Sequence, residues 1–258
     1  MRLVFIVVAM IAACGGPVAA QSDPPRVDVA LVLTVDASGS IDPAEFQLQK
    51  EGIAGAITDP QVLGAIQSGR QGRIAIAYVE WGSPGAPKTG VDWMLVGDDA
   101  SATAFAQAVL GAERSMQSYN AIGDAIVHNI DLLNTCPCKP SRRIIDISGD
   151  NPDNRSVYPA PVARDTAVAA GITINALAIL QDGRLGPGGK PWLIEAYEGT
   201  VIGGFGAFAI AANTRADFAR ALRDKMVLEI SGLVPGTADS LAAVPDSSPK
   251  WTMPAAQD

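Results

Sequence analysis

Residues 29–42 read VALVLTVDASGSID, and this stretch decides the fold. Val29–Val35 is an uninterrupted run of apolar and β-branched residues, which predicts a strand buried on both faces of a sheet. Asp36, Ser38 and Ser40 follow at every second position. The chain then has to turn sharply, because a helix-start signal comes directly after them. The pattern therefore predicts three oxygen-bearing side chains in a tight strand-to-helix turn.

The helix-start signal consists of Asp42, Pro43 and Glu45. Aspartate is a preferred N-cap, proline suits the first helical position, and a glutamate three residues after the cap completes a capping box. Because Asp42 caps the helix, the two preceding serines are available for another task. The carboxylate of Asp36 at the end of a buried strand is costly unless a positive charge compensates it. A hard divalent cation, which prefers oxygen ligands, is the compensation we favour.

The remainder of the chain predicts alternating strands and helices. Five more strands are predicted, at Arg73–Trp81, Val91–Val96, Arg142–Ser148, Ile172–Leu180 and Ala207–Ala211. A Gly/Pro loop joins the second and third strands as a hairpin, which makes the third strand antiparallel. We therefore expect an α/β fold: a doubly wound, mostly parallel sheet of about six strands, flanked by helices, with one antiparallel edge strand.

The chain divides into four predicted segments. Residues 1–20 are typical of a signal peptide, since a positive start precedes an apolar run and a small-residue cleavage site. Residues 21–26 are a short linker, residues 27–231 the folded domain, and residues 232–258 a disordered tail. We expect an exported protein, periplasmic or secreted, without a transmembrane span, because no second long apolar run follows. The alternative is a lipid anchor on Cys14, which ends a sequence similar to a bacterial lipobox.

Composition excludes several classes of function. The net charge of −8, without any Lys/Arg cluster, argues against nucleic acid as the partner. The only histidine is His128, so serine–histidine catalysis would have to use it. Cys136 and Cys138 are separated by one residue, whereas the common redox motif has two between its cysteines. We expect a structural pair, either reduced and buried or loosely bridged.

A second acidic residue, Asp150, follows the predicted strand at residues 142–148. Ligands of open parallel sheets bind beyond the carboxyl ends of the strands. If this strand is a neighbour of the first strand, Asp150 and Asp36 converge at that edge. Two carboxylates about 4 Å apart would repel by roughly 4 kcal/mol at an effective dielectric near 20, so a cation between them is expected.

The same residues resemble a known family. Residues 36–40 match the D-x-S-x-S element of von Willebrand factor A (vWA) domains, which begins their metal-ion-dependent adhesion site (MIDAS). Asp150 is similar to the later aspartate of that site. The middle element is usually a threonine three residues before a glycine, and here Asn120 stands three residues before Gly123. Over about residues 27–231, the chain resembles a bacterial family of exported vWA-like proteins of unknown function.

The resemblance implies a binding module rather than an enzyme. It implies a divalent cation held by Asp36, Ser38, Ser40, Asn120 and Asp150. Mg²⁺ is preferred because only two carboxylates contribute, with Mn²⁺ and Ca²⁺ as alternatives. The implied partner is a protein ligand whose own carboxylate completes the coordination.

Other interpretations remain open at this point. Glu80, at the end of the second strand, is a candidate for a supporting role beside the site, or an ordinary salt-bridged or solvent-facing glutamate. Asn120 could instead be a plain N-cap. The domain could be a vWA scaffold that has lost its metal and binds a partner by shape alone. A serine hydrolase using Ser38 is the remaining alternative, although the first glycine of the G-x-S-x-G elbow is missing.

Overall fold

The computed structural model of the protein describes residues 23–213 and 217–233. The strands are β1 (Arg26–Asp36), β2 (Ile74–Trp81), β3 (Lys88–Val96), β4 (Lys139–Gly149), β5 (Thr173–Ile179) and β6 (Ala209–Ala212). The helices are α1 (Pro43–Ile57), α2 (Pro60–Gln67), α3 (Asp99–Gly111), α4 (Ile122–Asn134), α5 (Ala160–Ala169), α6 (Trp192–Thr200) and α7 (Phe218–Ser231). The predicted signal peptide and the tail beyond residue 233 lie outside the described residues.

One sheet carries all six strands, in the order β3-β2-β1-β4-β5-β6. β1 pairs in parallel with β2 on one side and with β4 on the other. β5 and β6 continue the parallel pairing, and only β3 is antiparallel, against β2 at the edge. The predicted fold class is therefore confirmed, including the antiparallel edge strand.

The central strand β1 is buried on both faces, as its unbroken apolar sequence requires. Its odd-numbered residues, Val29 to Val35, face a core cluster that includes side chains of α1, α2, α3 and α7. Ala30 and Val32 face a second cluster with α4, α5 and α6. The sheet thus has helices on both faces, the doubly wound arrangement. None of the helices in the described ranges is long and apolar enough to cross a membrane.

The start of α1 forms as the sequence predicts. Asp42 Oδ1 accepts a hydrogen bond from the Glu45 amide at 2.8 Å, and Glu45 Oε2 accepts one from the Asp42 amide at 2.9 Å. Pro43 occupies the first helical turn. This capping box fixes where the strand-to-helix turn ends. The five residues between β1 and Asp42 are consequently confined to one short loop.

Candidate functional site

The carboxylates of Asp36 and Asp150 meet at the carboxyl edge of the sheet because β1 and β4 are neighbours. Val35 lies beside Ser148 in the strand register, so the two strands end at the same level. Asp36 and Asp150 are both buried, with 0% and 2% exposure. Ser40 Oγ donates a hydrogen bond to Asp150 Oδ2 at 3.5 Å, which joins the first loop to the end of β4. The convergence expected from the sequence is present.

The turn after β1 gathers its oxygen atoms on one side. The Ser38 amide donates to Asp36 Oδ1 at 2.8 Å, which folds the aspartate side chain back over the loop. The hydroxyls of Ser38 and Ser40 are 3.0 Å apart and share a hydrogen bond. The alternation of Asp36, Ser38 and Ser40 along the sequence therefore becomes a cluster of neighbouring oxygens.

The electrostatics of this cluster call for a positive charge. Burial, and then repulsion from Asp150, raise the pKa of Asp36 from 3.8 to about 7, against hydrogen bonds from Ser38 that lower it. Asp36 Oδ2 is buried and accepts no hydrogen bond from the described residues. Buried carboxylate oxygens are normally satisfied, so an orphaned one requires an explanation. A cation bound to Oδ2 would supply the missing partner and stabilise the ionised form.

Asn120 lies in the loop before α4, and it does not cap that helix. The N-cap is Ala121, without any side-chain cap hydrogen bond, so the N-cap interpretation of Asn120 is wrong. The Asn120 amide donates to Asn154 Oδ1 at 3.1 Å, and its carbonyl accepts from the Asn154 amide at 2.7 Å. Its side chain is 8% exposed, and Oδ1 has no hydrogen-bond partner among the described residues.

The backbone around Asn120 lies against the first loop. The Ala121 amide donates to the Gly82 carbonyl at 2.9 Å. A Cβ on Gly39 would be 3.5 Å from the Ser118 carbonyl oxygen, and one on Gly82 would be 3.2 Å from the Ser38 Cα. Residues 118–121 therefore pack closely against the turn that carries Ser38 and Ser40. Glycine is required at Gly82 because a side chain there would push these two loops apart.

The donor set fits a hard divalent cation. Two carboxylates, two hydroxyls and one amide are all oxygen donors, which suits Mg²⁺, Mn²⁺ or Ca²⁺ better than a metal that prefers nitrogen or sulfur. Among the residues described, no group of three or more His, Cys, Asp or Glu side chains could hold a metal. The site therefore depends on two carboxylates and on neutral oxygens. The orphaned oxygens of Asp36 and Asn120 are the observations that favour a bound ion.

Glu80 lies on the other side of β2 from Trp81 and supports the site only indirectly. Its carboxylate accepts hydrogen bonds from the Tyr78 hydroxyl at 3.1 Å and from the Ser115 amide at 2.5 Å. None of the hydrogen bonds between the described residues joins Glu80 to the five predicted ligands. Glu80 instead fixes the loop that contains Arg114.

Arg114 is the functional residue that the sequence analysis missed. Its Nη2 donates to three carbonyls of the first loop, those of Ala37, Ser38 and Ile41, at 3.1, 3.1 and 2.7 Å. The guanidinium also lies over the Phe46 ring, 4.7 Å from its centroid. One side chain thereby satisfies three backbone acceptors and holds the turn in shape. A lone arginine in a loop gives no sequence signal for this role.

The components of a serine hydrolase do not come together. His128 Nε2 is hydrogen-bonded to Thr89 Oγ1 at 3.0 Å, on the β3 side of α4. Burial lowers the pKa of His128, and the charge of Asp131 opposes this shift. The Ser38 hydroxyl is paired with Ser40 rather than with a base. The geometry gives the hydrolase alternative no support.

A cavity of about 450 Å³ opens beside Asp150. It is lined by residues 180–185, Pro191 and Asn213. Gln181 lines this cavity, and its side-chain amide donates a hydrogen bond to Asp150 Oδ2. The cavity volume is in the range of small-ligand pockets.

A family of proteins described as of unknown function (DUF1194) matches residues 26–234, most of the chain. The chain belongs to the DUF1194 family. No curated protein matches it. The DUF1194 match spans β1 to α7, so every residue of the candidate site lies within it.

Solved structures similar to this DUF1194 protein are vWA domains. One is proximal thread matrix protein 1 from the mussel byssus, solved with a zinc-occupied MIDAS motif: 14% identity, TM-score 0.56, covering 80% of this chain and 46% of that one. Another is a von Willebrand factor type A protein from Catenulispora acidiphila: 16% identity, TM-score 0.55, covering 80% and 43%. A third is the vWF domain of the type V pili tip protein Mfa5 from Porphyromonas gingivalis: 12% identity, TM-score 0.52, covering 82% and 98%.

These similarities establish the fold of the DUF1194 protein. The chain is a vWA-like domain, as the D-x-S-x-S resemblance indicates. It spans less than half of the length of the mussel and Catenulispora proteins. At identities of 12–16%, the likeness concerns architecture and not activity.

Proposed function

We propose that this protein is an exported, non-catalytic binding module that engages a protein ligand through a divalent cation. Asp36, Ser38, Ser40 and Asp150 would hold the ion, with Asn120 assisting. Mg²⁺ is the preferred ion because only two carboxylates contribute. A carboxylate of the partner protein would complete the coordination. The proposal of export rests on the signal-peptide pattern at the N-terminus.

The observation that carries the proposal is the orphaned Oδ2 of buried Asp36 beside Asp150. Two carboxylates that repel each other in the core are unfavourable for folding unless something binds between them. The nearby hydroxyls and the Asn120 amide oxygen complete an oxygen-rich shell. Support also comes from the mussel protein of the same fold, whose MIDAS motif holds zinc.

Calorimetry tests the metal part of the proposal. The mature chain is stripped with a chelator, dialysed, and titrated with Mg²⁺, Mn²⁺ and Ca²⁺. We expect one ion per chain, and we expect Asp36→Asn to abolish the binding heat. Asp92→Asn is the matched control, because Asp92 is an exposed aspartate on β3 whose carboxylate accepts only its neighbour's amide among the hydrogen bonds of the described residues. Absence of binding heat in the wild type would contradict the proposal.

Affinity capture tests the partner. Immobilised wild-type chain is incubated with an envelope extract in the presence of Mg²⁺ or of a chelator. A partner that binds through the ion is retained by the wild type with Mg²⁺, and is lost with chelator and with Asp36→Asn. A partner retained under all three conditions would favour the alternative, a vWA scaffold that binds by shape alone. Asn120 at the usual threonine position is the observation behind that alternative.

A further inference from the structure

The sheet edge opposite the metal site carries a disulfide bond between Cys136 and Cys138. It lies between the end of α4 and the start of β4, whereas Asp150 follows the other end of β4. β4 has 11 residues, so the two sites are about 35 Å apart at roughly 3.3 Å per residue. The disulfide therefore does not belong to the site described above.

The disulfide contributes little to holding the fold together. It joins residues two positions apart, and so short a loop constrains the unfolded chain far less than a long one does. Hydrogen bonds already fix both ends of the segment. The Thr135 amide donates to the Asp131 and Leu132 carbonyls, each at 3.2 Å, and the Lys139 amide donates to the Pro25 carbonyl at 2.9 Å. The surrounding backbone is thus set without the sulfur–sulfur bond.

Both sulfur-bearing side chains are partly exposed. Each packs one side against the core cluster beneath α4 and leaves the rest accessible, and Pro137 between them is exposed. Access to a sulfur atom is a requirement for thiol–disulfide exchange. A fully buried disulfide lacks this access, whereas the two residues that form this one are each partly exposed.

We propose that Cys136–Cys138 is an exchangeable disulfide that oxidises dithiols of peptides or proteins, in the exported location on which the proposed function also rests. A substrate thiolate attacks Cys136 Sγ, the Cys136–Cys138 bond breaks, and its electron pair leaves on Cys138 Sγ, which takes up a proton. The second substrate thiolate then attacks the substrate sulfur of the mixed disulfide and releases Cys136 as a thiolate, which is protonated. The substrate loses two electrons and two protons, and the two cysteines gain them.

The position of α4 decides which sulfur is attacked. Cys136 directly follows the carboxyl end of this helix, and its amide donates to the Leu133 carbonyl at 3.4 Å. The partial negative charge of a helix C-terminus disfavours a thiolate there. Cys138 lies two residues farther along the chain from that helix end, so negative charge that develops on its sulfur as the bond breaks is disfavoured less, and we assign it as the leaving group.

Exchange with glutathione tests the proposal on the full exported chain. After equilibration in buffers of reduced and oxidised glutathione, free thiols are counted by alkylation and mass spectrometry. We expect the disulfide to reach equilibrium with millimolar glutathione, and to oxidise a synthetic two-cysteine peptide at least about tenfold faster than oxidised glutathione does. A chain isolated with two free thiols, or a disulfide that only a strong dithiol reduces, overturns the proposal.

Serine variants and a one-cysteine peptide separate chemistry from structure. Neither Cys136→Ser nor Cys138→Ser has a disulfide, so neither should oxidise the two-cysteine peptide. A one-cysteine peptide should form a mixed disulfide with the wild-type chain mainly on Cys136, trapped by acid and located by mass spectrometry, and a preference for Cys138 would overturn the assignment of the attacked sulfur. The double variant should keep the wild-type unfolding midpoint and Mg²⁺ binding. A large loss of stability in the double variant would show that the disulfide mainly stabilises the fold, and would contradict the proposal. Mg²⁺ titrations of the same variants report separately on the metal site.

Discussion

Lys225 Nζ lies 2.6 Å from Asp146 Oδ2, and both side chains are fully buried between α7 and β4. The same ammonium contacts Glu229 Oε1 at 2.5 Å, one helical turn along α7. Asn175 on β5 donates to that oxygen at 2.9 Å. One cation therefore faces two carboxylates inside the core. This cluster ties α7 to the sheet.

Removal of the buried Lys225 ammonium group should destabilise the fold far more than removal of a surface lysine. Lys225→Met leaves Asp146 and Glu229 together without a positive partner, which we expect to reduce the free energy of unfolding by about 3–5 kcal/mol. Lys190→Met is the control, because Lys190 pairs with Glu198 at the surface and exposed ion pairs contribute about 1 kcal/mol or less. Urea unfolding measures both. Equal effects of the two substitutions would refute the role given to Lys225.

Glu229 should make stability depend on pH. Burial, and then repulsion from Asp146, raise the pKa of Glu229 from 4.5 to about 8 despite the opposing effect of Lys225. The folded state then binds this proton more tightly than the unfolded state. Its contribution is complete below pH 4.5 and is lost as pH rises through 8, with a slope approaching about 1 kcal/mol per pH unit.

The substitution Glu229→Gln isolates this contribution. It should flatten the decrease in unfolding free energy between pH 5 and pH 8, and the variant should gain stability relative to the wild type as the pH rises. Glu113→Gln, at an exposed glutamate, should leave the pH profile unchanged. Denaturant titrations at several pH values provide the measurement. A profile for Glu229→Gln that parallels the wild type would show that Glu229 is not the titrating group.

Arg114 should control metal affinity without touching the ion. Arg114→Ala removes the donor to the Ala37, Ser38 and Ile41 carbonyls, so the turn loses its fixed shape. We expect Mg²⁺ affinity to fall about 10- to 100-fold, as is usual for residues that orient ligands. Arg155→Ala is the control, because Arg155 lies over the Tyr119 ring in a nearby loop and holds no carbonyl of the turn among the hydrogen bonds of the described residues. Similar affinity losses in both variants would argue against a specific effect.

Asn120 should contribute through its orphaned oxygen. Asn120→Ala removes Oδ1 and should weaken Mg²⁺ binding by about tenfold, while Asn120→Thr restores an oxygen and should keep the affinity at or above that of the wild type. Asn154, which holds the Asn120 backbone, is intact in both variants. Calorimetric titration compares them. If alanine and threonine behave alike, the side-chain oxygen plays no part.

Two glycine substitutions should have opposite effects on the free energy of unfolding. A Cβ on Gly123, in the first turn of α4, would overlap the Tyr158 carbonyl, so Gly123→Ala should displace the loop that follows Asp150 and cost about 1–3 kcal/mol. Gly55 is an exposed position of α1, and a methyl group added there would meet nothing within 4 Å. Gly55→Ala should therefore stabilise the chain by about 0.5–1 kcal/mol. Thermal unfolding measures both changes in stability, a decrease for Gly123→Ala and an increase for Gly55→Ala.

Local signals in the sequence predicted the framework of the fold. The unbroken apolar run of β1 required burial on both faces, and the Asp42–Glu45 capping box located the start of α1. The hairpin after β2 gave the antiparallel edge strand. The proximity of Asp36 to Asp150 followed once β4 was placed beside β1, a choice that rests on the general behaviour of parallel sheets.

Contacts between distant segments could not be predicted. Asp146 pairs with Lys225, 79 positions away, while the basic residues nearest in sequence, Arg142 and Arg143, donate to backbone carbonyls. Arg114 likewise acts on a turn more than 70 residues earlier. No periodicity or motif encodes such pairs, because they depend on how loops and helices pack after the sheet has formed.

Gln181 adjoins both the metal site and the cavity, so Asp150 and a ligand in the cavity would compete for its side-chain amide. Its side-chain amide donates to Asp150 Oδ2, and the residue also lines the cavity beside the cluster of oxygens. A ligand in the cavity that accepts a hydrogen bond from this amide would take a donor away from Asp150. An ion that shifts Asp150 would change the hydrogen-bonding groups that the cavity offers to the ligand. If an ion and a cavity ligand both bind, occupancy of one place would alter the free energy of filling the other, and thermodynamic reciprocity would make the two influences equal in size.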